Sequence, residues 1–243
     1  DPETRKNSIS FRSNLVRLAD KLIIEEKFEK AEEVLDIAME NMPVEYFGFY
    51  SLLTPFVAAY QKINKKEKAN SLAILLNTKY IQKLEFFKSY NLKGQQNYSE
   101  QIFTEIERYR SLVDSSCDYN DNNGFCHILV QDFINNTSDF SYLYSAFEYF
   151  LPMTNYINVL YSNKLNETGR LLFESISSVY INQIKLYENI PQNELIYYKE
   201  SIETLINNFK TLVENFQLLE KDLDIIKKAN NNLDETIKPF LVD

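Results

Sequence analysis

The chain has 243 residues, 44% of them hydrophobic, enough to bury a sizeable core without help from metals or disulfides. Only 4 glycines and 6 prolines leave too few turn-formers for a many-stranded sheet, so an all-α fold is expected. A net charge of -9 with no offsetting basic cluster argues against nucleic acid or anionic lipid as the main partner, since both require a basic face.

Residues 1–10 are polar and aperiodic, as in a flexible leader, with Ser8 or Ser10 available to cap the helix that follows. Residues 11–92 read as two helical hairpins of the tetratricopeptide type. Such a unit needs small residues where its helices cross, larger apolar ones beside them, and a proline to end the second helix. In the first hairpin Leu15, Leu18, Ala19 and Leu22 share a face of helix 11–26, and Glu26-Lys27-Phe28 makes the turn. Ala31, Leu35 and Ala38 then share a face of helix 29–42 until Pro43 stops it. In the second, Leu53, Phe56, Val57 and Tyr60 precede a turn at Asn64-Lys65-Lys66, and Ala69, Ala73 and Leu76 follow it. Ala31 and Ala69 lie 38 residues apart, against about 34 in the standard unit, and the surplus falls in the aromatic connector 44–50. An ordinary helical bundle is the alternative.

The last of these helices continues through Tyr80, Ile81, Leu84 and Phe87 until residues 91–94 break it. Residues 98–243 read as a C-terminal helical bundle. Ser99 caps a helix with Ile102, Phe103, Ile106, Tyr109 and Val113 as its buried stripe. Cys117 and Cys126 flank a loop of turn-prone residues. Beyond it come a helix over 127–134, a cap at 136–139, the aromatic run Phe140, Tyr142, Tyr144, Phe147, Tyr149 and Phe150, and further helix over 153–162. Leu195, Tyr198, Ile202, Leu205, Phe209, Leu212, Phe216, Leu219, Leu223 and Ile226 then keep a three-four spacing, a heptad pattern. It predicts one nearly continuous helix over 195–226, about 48 Å long, packed antiparallel on helix 167–187; a parallel dimer through the heptads is the competing arrangement.

Few residues carry chemistry. The single histidine, His127, adjoins Cys126, but neighbouring side chains on a helix diverge by about 100° and give no nucleophile–base pair. Two cysteines and one histidine do not complete a zinc site. Asp118-x-Asn120-x-Asn122 has the start of a calcium loop, yet Gly124 comes one residue late and Leu129 stands where a closing glutamate is needed. No glycine-rich phosphate loop, serine-nucleophile elbow or Glu-x-x-His pair occurs, so no catalytic residue and no cofactor is expected. Glu25-Glu26 and Glu32-Glu33 read as solvated helix faces. The candidate binding residues are Arg12, Asn14, Arg17, Asp20, Thr54, Gln61 and Lys62, a polar strip on the first helices of the two hairpins, the surface that grips peptides in such arrays. The alternative is that they only solvate and order the first hairpin. The aromatics of 140–150 are candidates for stacking on sugar rings, with core packing as the competing role.

No apolar run approaches the roughly 20 residues that span a bilayer, no signal peptide opens the chain, and a start at Asp1-Pro2 without methionine reads as a portion of something longer. The phrases Phe11-Arg12-Ser13-Asn14-Leu15-Val16-Arg17-Leu18-Ala19, Ala31-Glu32-Glu33-Val34-Leu35-Asp36, Met39-Glu40-Asn41-Met42-Pro43 and Glu67-Lys68-Ala69-Asn70 carry a resemblance. From residue 11 to about 90 the chain resembles the soluble C-terminal region of a family of polytopic bacterial membrane proteins, catalogued as a domain of unknown function. The membrane part of that family is similar to a lipid-sugar-dependent protein O-glycosyltransferase. The resemblance implies a tetratricopeptide-like, extracytoplasmic domain that binds protein or presents acceptor to a catalytic part not contained here, with membrane contact only through that part. Such a location favours a disulfide between Cys117 and Cys126; a cytosolic one leaves two thiols. A carbohydrate-binding module and a structural spacer are the alternative functions.

Overall fold

The computed structural model describes residues 2–117, 124–143 and 146–240, and among the described residues every regular element is a helix. The chain forms two compact units, Asp1–Gln95 with Thr104–Asp118, and Gln96–Phe103 with Tyr119–Asp243. Residues 104–118 therefore group with the two N-terminal hairpins and not with the C-terminal bundle.

In the first unit α1 (Pro2–Ile24) and α2 (Phe28–Asn41) form one hairpin, and α4 (Thr54–Lys62) and α5 (Lys66–Lys88) the next, with α4 packed on both helices of the first. The connector holds a single turn of helix, α3 (Val44–Phe47), and a 3-10 turn, Tyr50–Leu53. Residues 2–10, within the leader expected over 1–10, are instead the start of α1, where Ser8 begins a buried stripe continued by Arg12, Val16 and Ala19. That stripe also rotates the helix from the face expected: Leu18 is 45% exposed and Arg12 is fully buried. After α6 (Leu92–Asn97), α7 (Ser99–Ser116) returns onto α5, where Tyr109 donates to Asn77 Oδ1 and its ring stacks on Tyr80 at 5.2 Å.

The second unit comprises α8 (Gly124–Thr137), a 3-10 segment Ser138–Leu143, α9 (Ala146–Ser162), α10 (Asn166–Lys185), the short α11 (Gln192–Leu195), α12 (Lys199–Leu219) and α13 (Leu223–Ile237). Helix α10 is its centre, packed against α8, α9, α12 and α13.

One turn is built three times. At the ends of α1, α4 and α9 the residues Glu26, Asn64 and Lys164 adopt left-handed φ of 58°, 60° and 63°. The next amide donates five residues back, Lys27 to Leu22, Lys65 to Tyr60 and Leu165 to Leu160, at 2.8–2.9 Å, while the left-handed residue's own amide donates three back. This Schellman pattern satisfies the last carbonyls of one helix and aims the next one antiparallel. Four residues on, Ala31, Ala69 and Gly169 lie buried where the helices cross. At Gly169 the space is taken by a ring: a Cβ there would come 2.5 Å from Tyr161 Cε2.

The third hairpin, α9–α10, repeats the second at a constant offset of 100 residues. Leu53, Phe56 and Val57 correspond to Met153, Tyr156 and Ile157, and Leu72, Leu76 and Tyr80 to Leu172, Ile176 and Tyr180, all buried. The helix that caps each hairpin keeps the same register, with Tyr109, Leu112 and Val113 of α7 matching Phe209, Leu212 and Val213 of α12. The two units thus share one three-helix plan.

The continuous helix expected over 195–226 is not formed. Residues 196–198 are a turn before α12, and Glu220 is extended (φ -100°, ψ 130°), so α12 ends at Leu219 and α13 folds back on it. Asp222 starts α13 by accepting from the Asp224 amide at 3.0 Å, an N-cap that overrides the heptad continuation. Ile202, Phe209, Leu212 and Phe216 are buried against the chain's own α9, α10 and α13, whereas Tyr198 and Leu223 are 40% and 54% exposed. The central part of the seam is thus covered within the chain.

The turn geometry sets two opposite expectations. Lys164→Gly removes the left-handed cost of a side chain, about 1 kcal/mol, and raises the unfolding free energy by that order. Gly169→Ala drives a methyl into Tyr161 and lowers it by about 1–3 kcal/mol. Urea unfolding followed by circular dichroism reads both signs.

Candidate functional site

The seven polar residues expected to form a strip are used in three different ways. Arg12 is fully buried, and its guanidinium donates to Met42 O and Gly48 O at 2.6 Å each and to Phe49 O at 3.5 Å. No carboxylate of the described residues pairs with it, and burial pulls its pKa below the ordinary value. Three carbonyls at the end of α2 and in the connector, where Gly48 and Phe49 both have positive φ, do the work of a counterion. Arg12 is therefore a structural clamp and not a recognition residue. Thr54 is buried, and Gln61 is pinned by donating from Nε2 to Ser116 O at 3.1 Å. Asp20 and Lys62 meet across α1 and α4 at 3.3 Å, and Asn14 and Arg17 are exposed.

Two ion networks cross between elements. Glu32, expected on a solvated face, accepts from Lys65 at 2.7 Å and Lys68 at 2.8 Å, and Asp36 accepts from Lys68 at 2.6 Å and from Tyr60. The Lys65 bond and then the Lys68 bond hold the Glu32 carboxyl below the usual carboxylate range. In the second unit Glu220, at the α12–α13 turn, accepts from Arg170 through Nε at 2.5 Å and NH2 at 3.0 Å, from Tyr161 at 2.5 Å and from the Asp222 amide at 2.9 Å. Its side chain is 4% exposed, and the Arg170 bonds, ahead of those from Tyr161 and Asp222, lower its pKa to about 2. This carboxylate has every lone pair engaged, which makes it a staple between the third hairpin and the last one.

The feature with unused recognition groups is a groove of about 570 Å³ between α10 and α13, with Phe209 of α12 at its base. The size falls within the range of ligand clefts. Phe173, Ile181, Phe209 and Ala229 form its apolar floor, and Lys228 reaches from α13 to Glu174 of α10 at 3.1 Å. Asn182 and Asn232 stand exposed on opposite walls, and among the described residues neither carboxamide has a hydrogen-bond partner. Lys185, Glu188 and Glu235 line it unpaired in the same sense. At the base of the groove the two units differ. The first unit fills the corresponding position with the Asn77–Tyr109 hydrogen bond, whereas the second has Ser177 and Phe209 there, and the Ser177 hydroxyl is buried without a partner.

Cys117 and Cys126, the chain's two cysteines, are both disulfide-bonded, hence joined to each other, so no thiol stands beside His127. The Asp118-x-Asn120-x-Asn122 stretch lies outside the described residues, as do Tyr144 and the side chains of Phe147, Tyr149 and Phe150. Phe140 is fully buried and Tyr142 half-buried, which suits packing better than stacking on a sugar. Among the described residues no three His, Cys, Asp or Glu side chains gather as a metal site requires, and no helix is long and apolar enough to cross a membrane.

Compared with known proteins, the chain matches no family model, no curated protein and no solved structure.

Replacing Arg12 by Met strands the Met42 and Gly48 carbonyls and is expected to lower the unfolding free energy by about 2–4 kcal/mol, while Arg17→Ala stays within about 0.5 kcal/mol. Comparable unfolding midpoints for the two variants contradict the clamp. Glu220 supplies a pH signature. Its folded pKa lies below the unfolded value of about 4.3, so its contribution is present above about pH 4.5 and is lost as pH falls towards 2. A urea-midpoint series over that window should show a loss on the order of 3 kcal/mol that flattens in Glu220→Gln.

Proposed function

We propose that this chain is a non-catalytic protein-interaction module of tetratricopeptide-like hairpins that holds a partner polypeptide in the α10–α13 groove. The observation that carries the proposal is the groove itself: unpartnered side chains on two helices of a packed scaffold, beside a floor that is already formed. The α1–α4 strip offers less, because Arg12, Thr54, Gln61, Asp20 and Lys62 are buried, pinned or paired.

The sequence resemblance supplies the setting: an extracytoplasmic part of a longer membrane protein, presenting acceptor protein to a glycosyltransferase-like membrane part. The disulfide supports a non-reducing environment, since such bridges persist outside the cytosol.

Photo-crosslinking tests the binding surface. With a photoreactive residue at Asn182 and a control at Arg17, expressed with the full-length parent protein, we expect a discrete protein adduct at position 182 that is absent at 17. Adducts at 17 alone, or none at 182, overturn the assignment.

A further inference from the structure

Resting on the interaction-module function proposed above, we propose that the α10–α13 groove takes an extended polypeptide segment of about six residues. Its main chain is gripped by the carboxamides of Asn182 and Asn232, and a basic side chain is seated at the end bounded by Glu188 and Glu235.

Dimensions set the length. The α10 wall runs from Leu171 to Lys185, 14 steps of about 1.5 Å, or about 21 Å. At about 3.3 Å per residue, 21 Å holds about six residues. The Lys228–Glu174 ion pair, spanning the two walls at 3.1 Å, keeps that end narrow.

The wall chemistry selects the ligand class. A docked extended strand carries N–H and C=O groups that have no partner of their own. A carboxamide supplies an acceptor and two donors, matching both groups of one peptide unit. Asn182 and Asn232 face this space from opposite walls, unengaged within the described chain. A sugar ring would instead need an aromatic face, and Phe173 and Phe209 in the floor are 1% and 0% exposed. Charge adds polarity. Glu174 and Lys228 neutralise each other, so the open end presents Glu188 and Glu235 against Lys185 alone, a local balance of -1 in a chain of net -9. A lysine or arginine of the ligand is favoured there.

The test uses arrays of acetylated, amidated twelve-residue peptides probed with the whole chain, followed by fluorescence anisotropy on the strongest binders. We expect binders to contain Lys or Arg at one fixed position and to lose affinity at least tenfold on N-methylation of two central amides. Asn182→Ala/Asn232→Ala should weaken binding at least tenfold without moving the unfolding midpoint. Glu188→Gln/Glu235→Gln should reduce the preference for the basic residue about fivefold and flatten the salt dependence. Binders that tolerate N-methylation and the Asn double variant, or that bind more tightly when stapled as helices, overturn the extended-segment inference and leave the interaction function standing. No peptide binding by the array, together with no adduct at position 182, overturns both.

Discussion

The architecture depends on a close approach of two helices at a residue with almost no side chain. A Schellman turn reverses the chain within two residues, and this sets Ala31, Ala69 or Gly169 against the helix just completed. Any larger residue there separates the helices and undoes the packing above it, because the apolar residues one and two turns on, Leu35, Leu76 and Ile176, meet their partners only if the crossing is tight. The turn itself is made with Glu, Asn and Lys in the left-handed conformation, so its strain is accepted without glycine. Tertiary packing, and not local propensity, holds these turns.

Two charged residues do what apolar residues do elsewhere. Arg12 and Glu220 are both buried, and each closes a connection the repeat alone leaves loose: Arg12 the α2–α4 connector, Glu220 the α12–α13 turn. Their solutions differ in kind. Glu220 meets an opposite charge and so contributes a titratable term, while Arg12 meets only carbonyl dipoles and stays charged throughout the accessible pH range. A buried ion pair is weak support for net stability. Its clearer role here is to specify where a helix stops, since Glu220 interrupts a heptad pattern that would otherwise run on.

How much of this was legible in the sequence depended on whether the signal was local. The first two hairpins could be read because small residues repeat at their crossings, Ala31 with Ala38 and Ala69 with Ala73, and because Pro43 ends α2. The third hairpin escaped because its only small crossing residue is Gly169 and Phe173 replaces the second alanine, although Leu53, Phe56, Val57, Leu72, Leu76 and Tyr80 all have buried counterparts 100 residues on. The burial of Arg12 had no local sign, because its partners are main-chain carbonyls 30 to 37 residues away. At the α12–α13 turn a sign was present: Asp222 is an N-cap residue, but without glycine or proline beside it the unbroken apolar period prevailed. The groove residues Asn182 and Asn232 are two ordinary exposed asparagines until a fold faces them across the same space.

The internal repeat locates a difference between the two units at the base of the α10–α13 groove. Both units set a capping helix on a hairpin with the same apolar register, so a difference in polar residues is what distinguishes them. In the first unit Tyr109 is long enough to reach Asn77 and stacks flat on Tyr80. In the second Phe209 lacks the hydroxyl, Ser177 is too short to reach it, and the ring turns edge-on to Tyr180 with 84° between the planes. Helix α13 contributes Asn232 and Lys228 to the groove that Ser177 and Phe209 also line. The two positions that differ, Ser177 for Asn77 and Phe209 for Tyr109, both line the α10–α13 groove.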